Sequence, residues 1–133
     1  MADSVIVGLD FGTSGVKLAA VSPDGTTLYS AFAGYPTYTG ASAISATSGG
    51  FATTASAVTG SAVTGSAEQD PTDWWAAARQ VCGELAAAGL ADRVVALGVT
   101  GQMQDLVPVH AATPSTAAYA TYPALLYSDT RAS

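Results

Sequence analysis

An α/β fold is predicted for this chain of 133 residues, and three features of the sequence predict it. Apolar runs rich in β-branched residues, which are typical of buried strands, follow one another at the start of the chain. An amphipathic stretch with helical spacing comes later and is long enough to serve as a crossover connection. A further apolar run follows that stretch directly. The order of strands, helix and strand predicts a mixed β-sheet in which the crossover helix permits parallel pairing.

Three strands are predicted over residues 4–9, 16–22 and 26–33, and the turn sequence PDG at residues 23–25 joins the last two. The segment at residues 39–67 is almost entirely Ala, Ser, Thr and Gly, and it contains SAVTG twice in tandem. Such side chains bury too little surface to offset the entropy lost when the backbone is ordered. We therefore predict a flexible, low-complexity insertion over residues 39–67; a β-hairpin is the alternative that its Val and Thr residues permit.

A helix is predicted to begin at Pro71, because Asp70 is a favourable N-cap and proline suits the first helical position. Gly89 can end this helix in a left-handed conformation. The predicted apolar stripe consists of Trp74, Ala78, Val81, Leu85 and Ala88. Trp75 is also expected to anchor the core, with stacking of Trp74 and Trp75 on a sugar as the alternative, and Cys82 is expected to be buried or half-buried. Further strands are predicted over residues 93–100, 104–109 and 124–127, with a loop over residues 111–123. His110 lies at a strand end before that loop and is expected to be solvated.

The charge and cysteine content exclude several classes of function. The formal net charge is −6, and the cations are Lys17, Arg79, Arg93 and Arg131. A basic face for nucleic acid or for an anionic membrane cannot be built from so few cations. The single cysteine allows no intramolecular disulfide, which suits a reducing compartment. The N-terminal apolar stretch is too short for a signal sequence and lacks a basic region, so we expect a cytoplasmic protein with no nucleic-acid or membrane partner.

A polar corner separates the first two predicted strands, in the segment GLDFGTSGVK at residues 8–17. Glycine lets backbone N–H groups approach an anion closely, and the Thr13 and Ser14 hydroxyls can add hydrogen bonds. Asp10 can hold the waters of a Mg²⁺ ion that bridges phosphates, and Lys17 can offer a cation to a transferring phosphoryl group. A plain hairpin with solvated polar residues is the alternative. The glycine spacing fits neither a P-loop nor a dinucleotide fingerprint.

Four segments, in order, resemble the FGGY carbohydrate kinases, and most closely their xylulokinase branch. GLDFGTSGVKLAAVSPDG resembles the phosphate motif of that family, and EQDPTDWWAAA its acidic segment and Trp-Trp helix. VVALGVTGQMQDLVPV resembles its sugar-contacting strand–turn–strand unit, and ALLYSDTRAS its strand followed by Asp and Arg. The resemblance implies a ribonuclease H-like fold of the actin and sugar-kinase type. It also implies transfer of the γ-phosphate of ATP, with Mg²⁺, to a hydroxyl of a ketose or polyol.

The resemblance further implies roles for individual residues. Asp10 matches the aspartate that organises the metal and its waters. The positions that match the ATP-phosphate site are Gly12, Thr13, Ser14 and Lys17. The positions that match the sugar site are Gln102, Met103, Gln104 and Asp129. Gln104 replaces the His of typical xylulokinases and Asp105 replaces a small residue, so the sugar is left open. Asp105 can meet the sugar or cap the turn, and Asp129 can meet substrate or pair with Arg131.

Members of the family are several times longer than this chain. Residues 1–133 are therefore expected to be a partial N-terminal kinase domain, and the general base is expected beyond Ser133, so no catalytic residue is assigned. The alternative is a catalytically silent fragment or degenerate homologue that only binds a sugar or a partner. A different actin-like ATPase is disfavoured by the Gln-Met turn and the Trp-Trp helix. A homodimer of the full-length protein is left open.

Overall fold

The computed structural model describes residues 3–39, 65–113, 119–120 and 123–131. The chain divides into two units: the first is formed by Met1–Pro36 and Thr72–Met103, and the second by Thr37–Pro71 and Gln104–Ser133. The strands in chain order are β1 (Val5–Gly12), β2 (Gly15–Val21), β3 (Thr27–Gly34), β4 (Tyr38–Thr39), β5 (Ala67–Gln69), β6 (Val94–Gly101), β7 (Val109–His110), β8 (Tyr119–Ala120) and β9 (Ala124–Leu125). The helix α1 (Pro71–Ala87) and a 3-10 turn (Ala91–Arg93) lie between β5 and β6.

The first unit contains a four-stranded sheet with the strand order β3-β2-β1-β6. β1 and β3 are each antiparallel to β2, and β6 is parallel to β1. The mixed α/β architecture and the parallel pairing after the helix are thus as predicted from the sequence. The predicted strand bounds agree with the observed ones to within a few residues. Because β1 and β6 run in the same direction, their carboxyl ends meet at one edge of the sheet.

One face of this sheet packs against α1. Alternate residues of β1, namely Val5, Val7 and Leu9, are buried there, as expected for a strand with one covered face. The buried residues of the helix are Ala77, Ala78, Val81 and Leu85. Ala88 was predicted to lie on the buried stripe, but it is exposed because the helix ends at Ala87. The predicted left-handed end is confirmed: Gly89 has a φ of 72°.

The sequence predicts burial or half-burial for three residues of α1, namely Trp74, Trp75 and Cys82. Trp74 packs against the core, whereas Trp75 is 67% exposed and does not anchor it. Adjacent helical positions differ by about 100°, so both indoles cannot face one sheet. Cys82 is also exposed, next to the fully buried Val81. The predicted burial of Trp75 and Cys82 is therefore wrong for the same geometric reason.

In the second unit, the described strands are short. β5 pairs with β4 and β9, and β7 pairs with β8. The strand predicted over residues 104–109 is wrong, because Gln104 has a φ of 66° and Leu106 forms only an isolated bridge with Leu125. The predicted loop over residues 111–123 contains β8, while His110 is exposed as expected.

The predicted insertion begins and ends in paired strands rather than in loop. Thr39 pairs with Ala67, so the two ends of the low-complexity segment lie side by side in β4 and β5. Residues 40–64, on which the prediction of flexibility falls, lie outside the described residues. Among the described helices, none is long and apolar enough to cross a membrane.

Candidate functional site

The polar corner is a two-residue hairpin turn. Gly12 at the end of β1 pairs with Gly15 at the start of β2, and Thr13 and Ser14 form the exposed turn between them. Neither turn glycine has a positive φ. Conformation alone therefore does not explain why glycine occupies these two positions.

Packing explains one of the two glycines and not the other. A Cβ on Gly15 would run into the Ala33 carbonyl oxygen and would lie 2.6 Å from the Phe32 ring. A Cβ on Gly12 would meet only the Gly15 carbonyl oxygen, at 3.6 Å, which is ordinary van der Waals contact. The fold thus requires glycine at position 15. At position 12 the small residue leaves the backbone open to approach from outside.

Tyr35 holds this turn from the strand side. Its hydroxyl donates a hydrogen bond to the Gly12 carbonyl, and its backbone N–H donates to the Ser14 carbonyl at 3.3 Å. Only 9% of Tyr35 is exposed, so the residue that makes these two hydrogen bonds is part of the packed core. Sequence reasoning missed Tyr35, because it lies 23 residues from Gly12 and no local pattern connects the two.

Asp10 and Lys17 share the face of the sheet opposite the helix. They are direct cross-strand partners in β1 and β2, so their side chains leave the sheet on the same side. Thr100 is the partner of Asp10 in β6, which places a hydroxyl residue on the same face. Asp10 is half-buried and Lys17 exposed. Within the described residues the two form no ion pair, so both charges can meet a ligand.

The sheet is open beside Asp10 on that face. Gly8 of β1 and Gly98 of β6 are register partners one pleat before Asp10 and Thr100. A Cβ added to either glycine would have nothing within 4 Å. At these two positions the sheet therefore presents bare backbone next to Asp10 and Thr100.

The predicted sugar turn begins at the same end of the sheet. The Gln102 N–H donates a hydrogen bond of 2.8 Å to the Phe11 carbonyl, so Gln102, which directly follows β6, is fixed beside the carboxyl end of β1. Its side chain is half-buried, whereas Met103 is 78% exposed and so is not a core residue of the described chain. Gln104 is exposed and has the left-handed φ of 66°, which a residue other than glycine adopts rarely. Such conformations cluster at functional sites.

Asp129 belongs to the second unit, and its carboxylate is used inside that unit. It accepts hydrogen bonds from the Ala67 N–H at 3.0 Å and from the Arg131 guanidinium at 2.5 Å. Arg131 also forms an ion pair of 2.6 Å with Glu68. The hydrogen bonds from Arg131 hold the pKa of Asp129 well below its ordinary value, and the same bonds raise the pKa of Arg131.

This network joins the C-terminal segment to β5. Its three side chains are largely covered, with 9% of the Asp129 side chain exposed. The pairing of Asp129 with Arg131, one of the two alternatives for this residue, is thus observed. Contact of Asp129 with a substrate stays a prediction, and the carboxylate would first have to be released from these donors.

The chain was compared with known proteins. No protein-family model matches it. No curated protein sequence matches it. Solved structures do match: a xyloylose kinase from Brucella ovis covers 96% of this chain with a TM-score of 0.65 and 24% identity. A xylulose kinase from Rhodospirillum rubrum covers 94% with a TM-score of 0.60 and 22% identity, and a gluconate kinase from Lactobacillus acidophilus covers 95% with a TM-score of 0.65 and 19% identity.

The chain spans about a fifth of the length of these solved structures, since it covers 22%, 20% and 20% of them in the same order. At this level of identity the similarity concerns the fold. The chain therefore has the mixed α/β fold found in a part of these sugar kinases.

Proposed function

We propose that this chain is the N-terminal part of an ATP-dependent sugar kinase of the FGGY type, with a ribonuclease H-like first domain. The kinase transfers the γ-phosphate of ATP to a hydroxyl of a ketose or polyol, in the manner of the xylulokinase branch. The observation that carries the proposal is the geometry at the carboxyl ends of β1 and β6. Asp10 precedes an exposed hairpin turn there, and the hydrogen bond from Gln102 to Phe11 holds Gln102 at the same edge, which supports the proposal.

The phosphate side of this site consists of the turn and Lys17. Gly12, Thr13 and Ser14 present backbone and hydroxyl groups at an exposed corner whose carbonyls are held by Tyr35. Because Tyr35 already holds the turn carbonyls, the turn can bind an anion without changing its own hydrogen bonds. Lys17 lies on the Asp10 face of the sheet and supplies positive charge to the phosphoryl group.

The residues present fit a Mg²⁺ ion held mainly by water and phosphate. The described ranges contain no group of three or more His, Cys, Asp or Glu side chains that could cage a metal. Mg²⁺ commonly keeps several waters and takes only one or two protein carboxylates. Asp10 is the carboxylate in position for this role, and the metal, when bound, would neutralise charge on the phosphates.

On the sugar side, Gln102 and Gln104 offer amide groups that both donate and accept hydrogen bonds to hydroxyls. Met103 adds an exposed apolar side chain. The exposed apolar face of β6 supports the proposal that further chain completes the domain: Val95, Leu97 and Val99 are 60–67% exposed on the outer strand of the sheet. A monomeric domain rarely leaves such a patch uncovered.

The proposal is tested with the intact protein that contains this chain. ADP release is measured against a panel of ketoses, polyols and aldonates, with Mg²⁺ present and with Mg²⁺ removed by chelation. We expect sugar-dependent ADP release that requires Mg²⁺. ADP release independent of any sugar would instead favour a simple ATPase, and sugar binding without turnover would favour the silent homologue.

A further inference from the structure

The β1–β2 turn receives more hydrogen bonds than its own strand pairing supplies. Gly12 and Gly15 already close this hairpin as cross-strand partners. Tyr35, which directly follows β3, adds a bond from its hydroxyl to the Gly12 carbonyl and a bond from its N–H to the Ser14 carbonyl. The turn between β2 and β3 is held by hydrogen bonds among its own residues 22–26 instead. The Tyr35 hydroxyl is therefore an additional constraint on the turn that forms the proposed phosphate site.

The end of β3 keeps Tyr35 and the turn in close contact. A Cβ on Gly15 would lie 2.6 Å from the Phe32 ring, so the backbone of the turn packs tightly against this strand. Tyr35 itself is buried in the core, and its bond to the Gly12 carbonyl is partly buried. Water therefore competes poorly for that carbonyl, and the hydroxyl holds one peptide of the turn in one orientation.

A fixed carbonyl also fixes the amide group that follows it. A trans peptide is planar, so its C=O and its N–H point in opposite directions. No peptide bond in the described part of the chain is cis. The bond from Tyr35 to the Gly12 carbonyl therefore directs the Thr13 N–H away from Tyr35. Backbone N–H groups with fixed directions suit phosphate oxygens, because donors that are oriented in advance need no reorganisation when the anion binds.

We propose that Tyr35 is a positioning residue for nucleotide binding, whose hydroxyl fixes the Gly12–Thr13 peptide so that its N–H side faces the phosphates of a nucleoside di- or triphosphate. The inference rests on the proposed function and adds to its phosphate side a residue that acts from the core. Tyr35 contacts neither nucleotide nor metal and acts only through the turn. Its effect should therefore appear in the affinity for phosphate-bearing ligands and not in the affinity for the sugar.

The test is steady-state ADP release by the intact protein, with Mg·ATP and the sugar varied in turn, for the wild type, Tyr35→Phe and Tyr29→Phe. Phenylalanine keeps the ring and the backbone N–H and removes only the hydroxyl. We expect KM for Mg·ATP to rise about 2- to 10-fold in Tyr35→Phe, the fold-change that corresponds to one neutral hydrogen bond. KM for the sugar should stay within about twofold of the wild type. Tyr29, in β3, packs against the same core, and Tyr29→Phe should leave both KM values unchanged.

This pair of KM values distinguishes positioning from a merely structural role. A loss of stability alone would lower the amount of folded enzyme and hence the apparent kcat, while leaving KM for Mg·ATP as in the wild type. Calorimetric titration of Mg·ADP should show the same factor in Kd for Tyr35→Phe. Thermal unfolding of each variant checks that it is folded at the temperature of the assay.

The outcomes separate the two proposals. Unchanged KM for Mg·ATP in Tyr35→Phe, or an equal rise in both KM values, would overturn the positioning role and leave the kinase proposal standing. Absence of sugar-dependent ADP release by the wild type would contradict the proposed function itself. If Tyr35→Phe does not fold, hydrogen exchange of the wild type decides: Mg·ADP should slow exchange in residues 12–15 and not in residues 22–26. Unchanged exchange in residues 12–15 would overturn the positioning role.

Discussion

The two turns at the ends of β2 are similar in composition but are held in different ways. The β2–β3 turn, residues 22–26, satisfies its own polar groups: Asp24 Oδ1 accepts from the Ser22 hydroxyl at 2.5 Å and from the Thr26 N–H at 3.1 Å. Gly25 provides the positive φ of 88° that this turn needs. The Asp24 carboxylate is hydrogen-bonded within the turn, and no other segment is needed to hold the turn.

The β1–β2 turn, residues 12–15, is held from outside. Its carbonyls at Gly12 and Ser14 accept hydrogen bonds from Tyr35, and the nearest acid, Asp10, lies before the turn in β1, on the sheet face opposite the helix. Composition therefore identifies a turn, whereas the partners of its polar groups indicate whether the turn serves the fold or a ligand. Four predictions test this difference.

The largest expected effect comes from exchanging each acid for its amide. In the intact protein, Asp10→Asn should lower sugar-dependent phosphoryl transfer by about 100-fold or more, because electrostatic stabilisation of the transition state is lost. Asp24→Asn should change turnover by less than about twofold, since surface changes away from a site have small effects. Steady-state ADP release at saturating substrates measures both. Near-normal turnover in Asp10→Asn would contradict the proposed role of Asp10 in phosphoryl transfer.

The two glycines of the β1–β2 turn should respond oppositely to alanine. Gly15→Ala should destabilise the chain by about 1–3 kcal/mol, the usual cost of overpacking, because its methyl group meets the Ala33 carbonyl and Phe32. Gly12→Ala should change stability by less than about 0.5 kcal/mol, yet weaken binding of Mg·ATP. Urea unfolding and nucleotide titration give the two readings. Equal stability of both variants would contradict the packing argument.

Removing the Tyr35 hydroxyl should loosen the same turn. Tyr35→Phe leaves the part-buried Gly12 carbonyl without this donor and should cost about 1–3 kcal/mol of unfolding free energy. Tyr29→Phe is the control: Tyr29 lies in β3, where its ring packs against the same core, and the change should cost less than about 0.5 kcal/mol. Urea unfolding distinguishes them. If the two variants lose the same unfolding free energy, Tyr35 stabilises the chain by packing and not by its hydrogen bond to the Gly12 carbonyl.

The smallest effect concerns acid. The hydrogen bonds from Ser22 first, and then from Thr26, lower the pKa of Asp24 from its ordinary value of 3.8. Because the pKa is lower in the folded than in the unfolded chain, the stabilisation is fully present above that value and is lost as the pH falls below about 4. The fall in Tm between about pH 5 and pH 3 should be shallower in Asp24→Asn than in the wild type. Ser22→Ala should act in the same direction but less. If Tm falls with acidification as steeply in both variants as in the wild type, this carboxylate does not stabilise its turn.

Much of the fold could be predicted, because its signals are local. Apolar residues at regular spacing and turn residues a few positions apart predict four features. These are the β-meander, the PDG turn, the helix start at Pro71 and the parallel strand after the helix. The strand predicted over residues 104–109 failed at Gln104, whose left-handed φ has no signature in the residue type. The buried helix face was predicted at Ala78, Val81 and Leu85 and missed at the C-terminal Ala88, where helix length and not periodicity decides burial.

Local spacing was thus enough to predict the order of elements and the acid-glycine-hydroxyl corner at the end of β1, because spacing along the chain fixes which side chains can share a face. The hydrogen-bond partners of the polar groups, in contrast, follow from the folded chain alone. Tyr35 reaches Gly12 across 23 positions, and Asp129 reaches Ala67 across 62. Hydrogen bonds between segments so far apart depend on how the strands pack, and no local pattern encodes them. The same holds for Asp105, whose one oxygen is fixed by Tyr127 and whose other oxygen was revealed as buried only by the fold.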